Sequence, residues 1–121
     1  MMVVGHGIDM TSVERIRVLA GEDLTLKRVF TDTEIAEGIS GRDSFRRLAM
    51  IFASKEAVMK ALGTGWAKGV GWKDIEVTGF SRRFLSVRLS GMAGEILGGR
   101  RIMIDATSTG SVAVAIAVIE G

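Results

Sequence analysis

Hydrophobic positions change period along this chain, and the changes mark its elements. Met2 to Ile8 is a run of Val and Ile closing at Gly7, the pattern of a short strand. From Thr11 the spacing becomes helical: Val13, Ile16 and Ala20 recur on one face, and Thr11-x-x-Glu14 has the form of a capping box. Arg15 and Arg17 fall on the other faces of that helix. Thr31 with Glu34 repeats the device for a second short helix ending near Gly38. The longest helix is predicted from about Ser44 to Leu62, stopping at Gly63, and a glycine-rich loop, GTGWAKGVGW, follows.

Beyond the loop the period falls to two. DIEVTG and FLSVRLS predict a strand pair, SGMAGEILGG a short helix between Ser90 and Gly98, and RIMIDA and VAVAIAVIEG the closing strands. In the last strand Val112, Val114, Ile116 and Val118 alternate with Ala113, Ala115 and Ala117. Both faces are apolar, so the strand is expected to be covered on both sides. A chain this small has few elements to cover two faces, which points to self-association. Helices that come early and strands that come mostly late predict an α+β fold, in a single domain over 1–121.

Composition narrows the function classes. Hydrophobic residues make up 47% of the 121, which suits a packed globule and excludes a disordered tail. No window reaches about 18 uncharged apolar residues, so no membrane span is expected. The N-terminal MMVVGHGIDM has no basic n-region and is not expected to be a signal peptide. There is no cysteine, hence no disulfide framework and no thiolate chemistry. The charge of +2 is mild and the basic residues are scattered, so no nucleic-acid partner is expected.

The chemistry concentrates where the pattern is odd. Lys55, Glu56 and Lys60 interrupt a helix that is otherwise apolar nearly all round, and Gly-Thr-Gly follows at once. Glu56 and Lys60 are four apart with the acid first, which also describes an ordinary solvated helix pair. A buried carboxylate or ammonium, however, is costly unless it is paired or bound to a metal. Asp9 follows a strand and precedes a helix start, where an acid also complements the helix dipole. GHG lacks the third glycine of a dinucleotide fingerprint, and GTGWAKG lacks the Gly-Lys-Ser/Thr of a P-loop.

Together GHGIDM and FASKEAVMKALGTG resemble the G-x-G-x-D and F/W-A-x-K-E-A-x-x-K-A-x-G-T-G signatures of the holo-(acyl carrier protein) synthases, the small 4′-phosphopantetheinyl transferases. The resemblance covers the whole chain. It implies the transferase fold, helices packed on a small antiparallel sheet, and a cytoplasmic homotrimer with each active site between two subunits. The activity implied is transfer of the phosphopantetheine arm of coenzyme A to a serine of an apo acyl carrier protein, with Mg²⁺ and release of 3′,5′-ADP. By the same resemblance Asp9 and Glu56 match the metal ligands, Glu56 and Lys60 the catalytic pair, and Lys60, Gly63 and Ser108 the coenzyme A site. Arg15 matches a residue that docks the carrier protein, and Lys55 is expected to form a structural ion pair.

Four positions depart from the family pattern. Ile51 stands for an arginine, Ser81-Arg82-Arg83 for a Gly-basic-Pro turn, Ser108 for the histidine of a Ser/Thr-His-Ser/Thr signature, and Val112 for a tyrosine. These departures leave a second reading open, a catalytically weak relative acting as a carrier-protein or coenzyme A binding module.

Overall fold

The computed structural model describes residues 2–39, 43–64, 69–80 and 84–121. Element order is β1 (Val3–Ser12), α1 (Val13–Ala20), α2 (Asp23–Val29), α3 (Asp32–Ile39), α4 (Ser44–Leu62), β2 (Ile75–Thr78), β3 (Ser86–Leu89), α5 (Gly91–Leu97), β4 (Arg101–Ser108) and β5 (Val112–Glu120). A single turn of 3₁₀ helix, Trp72–Asp74, leads into β2. The class is α+β, as the order of patterns predicts, but the strands make two antiparallel sheets, β1-β5-β4 and the hairpin β2-β3.

The central layer is α4 lying across β1 and β5. Its termini are where the sequence puts them, because Gly63 takes the left-handed conformation (φ 76°) and its N–H closes the helix on Met59 and Lys60 carbonyls. The other helices surround it: Ile16 from α1, Leu26 and Val29 from α2 and Phe30 beyond are buried in the same core.

Two expectations fail locally. Strand β1 runs four residues past Ile8, since its ladder with β5 continues to Ser12 opposite Val112. Thr11 is therefore a buried strand residue whose hydroxyl has no partner among the described residues. The cap of α1 is Ser12, whose Oγ accepts from the Arg15 N–H at 3.2 Å, so the predicted Thr11–Glu14 capping box does not form. A strand ladder satisfying successive backbone groups outweighs one local cap. Helix α2 was not foreseen, although Leu26 and Val29 lie three apart and Asp23 and Lys27 sit at its ends. The second capping box does form: Thr31 Oγ1 accepts from the Glu34 N–H at 3.2 Å and Glu34 Oε1 from the Thr31 N–H at 2.8 Å.

The alternation in β5 divides the sheet. Ala113, Ala115, Ala117 and Ile119 face α4 and are buried. The opposite face is not covered by the described residues: Ile8, Met10, Met103 and Ile116 stay 59%, 63%, 40% and 40% exposed. Among the described residues, only the small-residue face finds a cover.

What lets α4 lie so close to β1 is the absence of side chains at two positions. A Cβ on Gly5 would stand 2.5 Å from the Ala61 carbonyl oxygen. One on Gly7 would collide with the Ala57 carbonyl oxygen and come within 2.8 Å of Lys60 Cβ. Neither neighbour is a flexible side-chain tip, so α4 must lift to admit a methyl. Gly7→Ala is expected to lower stability by roughly 1–3 kcal/mol in chemical denaturation, and to do so more than Gly99→Ala, where nothing stands within 4 Å of the added carbon.

Candidate active site

The same crossing assembles the charged residues. On β1, Gly5, Gly7, Asp9 and Thr11 share the face toward α4, and the two glycines bring α4 down just ahead of Asp9. Lys60 Nζ then donates to Asp9 Oδ1 at 2.7 Å and to the Ile8 carbonyl at 3.0 Å. Lys60 thus reaches across to the strand, 51 residues away in sequence, and the i,i+4 pair with Glu56 is not the one formed. The hydrogen bond to Asp9 raises the Lys60 pKa above its usual value, with the charges of Asp9 and Glu56 adding to it.

Glu56 lies one turn before Lys60 on α4 and is half-buried. Burial pushes its carboxyl pKa up, and the negative charge of Asp9 pushes it further; Arg15 and Lys60 pull the other way. Two carboxylates close enough to repel, with cations on either side, form an arrangement with the charges to bind a multiply charged ligand. Among the described residues no group of three or more His, Asp or Glu is placed to hold a metal by itself. A cation here would need oxygens from the ligand as well as from Asp9 and Glu56.

Lys55, next to Glu56 in sequence, points elsewhere. Its Nζ is wholly buried and donates to Glu34 Oε1 at 2.7 Å, to the Trp72 carbonyl at 2.9 Å and to the Ile75 carbonyl at 2.5 Å. Three acceptors use the three donors of an ammonium, and Glu34 Oε2 accepts from the Val77 N–H at 2.8 Å. Burial pushes the Glu34 pKa up and the Lys55 pKa down, and each partner opposes the shift in the other. The structural ion pair is as expected. Its acid, Glu34, doubles as the capping-box residue of α3 and is not recognisable as a partner from spacing.

The remaining candidates divide. Arg15 lies over the Phe52 ring, 5.5 Å from its centroid, one helical turn before Glu56. Gly63 lies three residues after Lys60, and its N–H is committed to the helix end; among the described residues nothing stands within 4 Å of an added Cβ there. Ser108 is not with them. It ends β4, where Arg46 donates from Nε to its Oγ at 3.2 Å and from its terminal nitrogen to its carbonyl at 3.0 Å. Arg46 precedes Glu56 by ten residues of α4, about 15 Å along the axis. Arg46 has no motif or spacing signal that would single it out in the sequence, whereas Phe52 is the first residue of the FASKEAVMKALGTG motif. Gly65, Lys68 and Ser81-Arg82-Arg83 lie outside the described residues.

Residues 5–117 match the family model of the 4′-phosphopantetheinyl transferase superfamily. The chain belongs to this superfamily. A holo-[acyl-carrier-protein] synthase of Solibacter usitatus is 38% identical over 124 residues, covering 98% of this chain and 99% of that one. Among solved structures, a holo-(acyl-carrier-protein) synthase of Bacillus anthracis in complex with CoA (3′,5′-ADP) superposes with a TM-score of 0.80. It is 31% identical and covers 98% of this chain and 97% of its own. The synthase of Neisseria meningitidis superposes with a TM-score of 0.84 at 27% identity, covering 99% of this chain and all of its own.

For this transferase-superfamily chain the strained proton state of Glu56 has a thermodynamic consequence. With its folded pKa above the ordinary 4.5, the folded state binds more protons than the unfolded chain, and stability falls as pH rises through that range. Glu56→Gln removes the cost. The variant should melt above the wild type at about pH 8 and lose that advantage below about pH 3.5, where Glu56 is mostly protonated in both states. Calorimetric melting curves across pH give the comparison; a variant that melts lower at every pH contradicts it.

Proposed function

We propose that this chain transfers the 4′-phosphopantetheine arm of coenzyme A to a serine hydroxyl of an apo acyl carrier protein, releasing 3′,5′-ADP. The observation that carries the reading is the meeting of Asp9, Glu56 and Lys60 at the crossing of β1 and α4. The names of the similar synthases, and the CoA (3′,5′-ADP) bound to one of them, support it.

In this reaction the serine oxygen forms a bond to the pantetheine-side phosphorus, and the bond from that phosphorus to the bridging oxygen of 3′,5′-ADP breaks. Charge accumulates on phosphate oxygens, so catalysis is largely positioning and neutralisation. Lys60, fixed by Asp9 and the Ile8 carbonyl, presents a point charge to the diphosphate. Glu56 takes the serine proton, directly or through a water. Gly63 leaves room for the diphosphate beside the end of α4.

The donor set fits Mg²⁺. Asp9 and Glu56 are hard oxygen donors whose mutual repulsion a divalent cation relieves, and Mg²⁺ takes one or two carboxylates plus phosphate oxygens. Bound there, the ion supplies charge neutralisation at the diphosphate.

The remaining roles follow from the same reading. Arg15, exposed at the start of α1, faces the acidic carrier protein. Ser108, remote from Asp9 in its own chain, completes the coenzyme A site of a neighbouring copy. That places the uncovered face of β1-β5-β4 at the contacts of a homotrimer, whose closed symmetry leaves no apolar patch open. We place the activity in the cytoplasm; among the described residues no helix is long and apolar enough to cross a membrane.

Mass spectrometry of apo carrier proteins incubated with coenzyme A, Mg²⁺ and this chain tests the activity by the added arm. Lys60→Ala should slow transfer by about 10²–10³, and no transfer by the wild type to any of several carriers would refute the function. The assembly has its own check in sedimentation: Ile116→Asp should dissociate the oligomer, and an active 13.0 kDa monomer would exclude the trimer.

A further inference from the structure

Phe52, Glu56 and Lys60 follow one another at intervals of four on α4, so they share one face at steps of about 6 Å. Lys60 closes the stripe at the C-terminal end of the helix. At the other end stands Arg15, which reaches Phe52 from a different element. The Ser12 cap fixes the first turn of α1, and the Arg15 guanidinium lies over the Phe52 ring, which itself stacks on Trp72 at 5.0 Å. Both rings are held by packing, so the guanidinium rests on a rigid platform.

Among the described residues this guanidinium makes no ion pair or hydrogen bond. Arg17, on the same helix, is by contrast bound to Glu14 at 3.1 Å and stacked over Phe45. The Phe52 ring beneath Arg15 lies one helical turn from Glu56, so the positive charge of Arg15 stands on the same side of α4 as that carboxylate. The charged face therefore reads cation, carboxylate, cation, with Asp9 alongside. Lys60 already spends two of its three donors on Asp9 and Ile8. Arg15 has a planar fork of donors unspent, the geometry that suits phosphate oxygens.

We infer that Arg15 is a phosphate contact of the transfer site itself, its guanidinium laid over Phe52 to bind a diphosphate oxygen of the co-substrate. The inference rests on the proposed transferase function and goes beyond carrier docking: the same residue meets the co-substrate before any carrier arrives. Phe52 is its positioning residue, holding the fork flat at the edge of the site.

The test separates the two roles by leaving the carrier out. Coenzyme A is titrated calorimetrically, with Mg²⁺ present, into the full chain and into Arg15→Ala, Arg15→Lys and Arg17→Ala variants. Arg15→Ala should weaken coenzyme A binding by about tenfold or more, the loss of a charge-assisted hydrogen bond. Arg15→Lys, which keeps the charge but not the fork, should recover part of it, and Arg17→Ala should change it by less than about twofold. Arg15 is exposed, so melting temperatures of the variants should match the wild type and confirm that folding is intact. Coenzyme A affinity unchanged in Arg15→Ala, with only the KM for the carrier raised, would overturn the inference and leave docking as the sole role. A wild type that binds coenzyme A yet transfers no arm refutes the function, while the affinity of Arg15→Ala still decides the phosphate contact.

Discussion

The close crossing of β1 and α4 is the constraint on which the rest of this molecule depends. Helices normally stand off a sheet by the thickness of two side chains, but here Gly5 and Gly7 remove one of those layers. The helix backbone comes down onto the strand, and Lys60 can then reach both the Ile8 carbonyl and the Asp9 carboxylate. Had the strand carried alanines, α4 would have to lift away from β1, and Lys60 would have farther to reach to Asp9. The G-x-G segment therefore works by packing rather than by cradling a ligand, and the site is a product of how tightly two elements meet.

A second device holds α4 from the other side. The Lys55–Glu34 pair is wholly buried, yet every donor of the ammonium has an acceptor. Such a pair adds little net stability over a well-packed apolar replacement, but losing one partner strands a buried charge at a cost of about 3–5 kcal/mol. Its value here is geometric. It ties α3, α4 and the backbone at Trp72 and Ile75 into one arrangement, so the segment returning from the end of α4 is fixed relative to the helix that carries Glu56. Lys55 and Glu56, adjacent in sequence, divide the work between fold and site because a helix turns them about 100° apart.

The site itself works against the fold. Burial and the neighbouring Asp9 raise the pKa of Glu56, so its ionised form is disfavoured in the folded chain alone. The apolar outer face of β1-β5-β4 is likewise uncovered in a single chain. Both features are liabilities for an isolated subunit, and both are what the proposed cation, diphosphate and neighbouring copies would relieve. Strain of this kind at functional positions is where a sequence departs from what stability alone would select.

How much of this was legible differs by element. The extent of α4, its stop at Gly63, the Thr31–Glu34 capping box, the β2-β3 hairpin and the two-faced β5 all follow from local pattern, because period, cap and turn are properties of neighbouring residues. Asp9, Glu56 and Lys60 were recognisable as a set through motif resemblance, and the structure brings them together. Other features were settled only in three dimensions. Strand β1 outruns its hydrophobic pattern because β5 offers a ladder as far as Ser12, which displaces the cap from Thr11. Lys60 pairs with Asp9 rather than Glu56, Lys55 finds Glu34, and Arg15 settles over Phe52, since each choice depends on a contact between distant segments. Ser108 joins Arg46 at the far end of α4, a separation that no motif spacing encodes. The sequence by itself determined which residues could do chemistry and, α2 apart, which segments would be helix or strand. Tertiary packing decided their partners, because hydrogen bonds and desolvation act over a few ångströms whatever the distance along the chain.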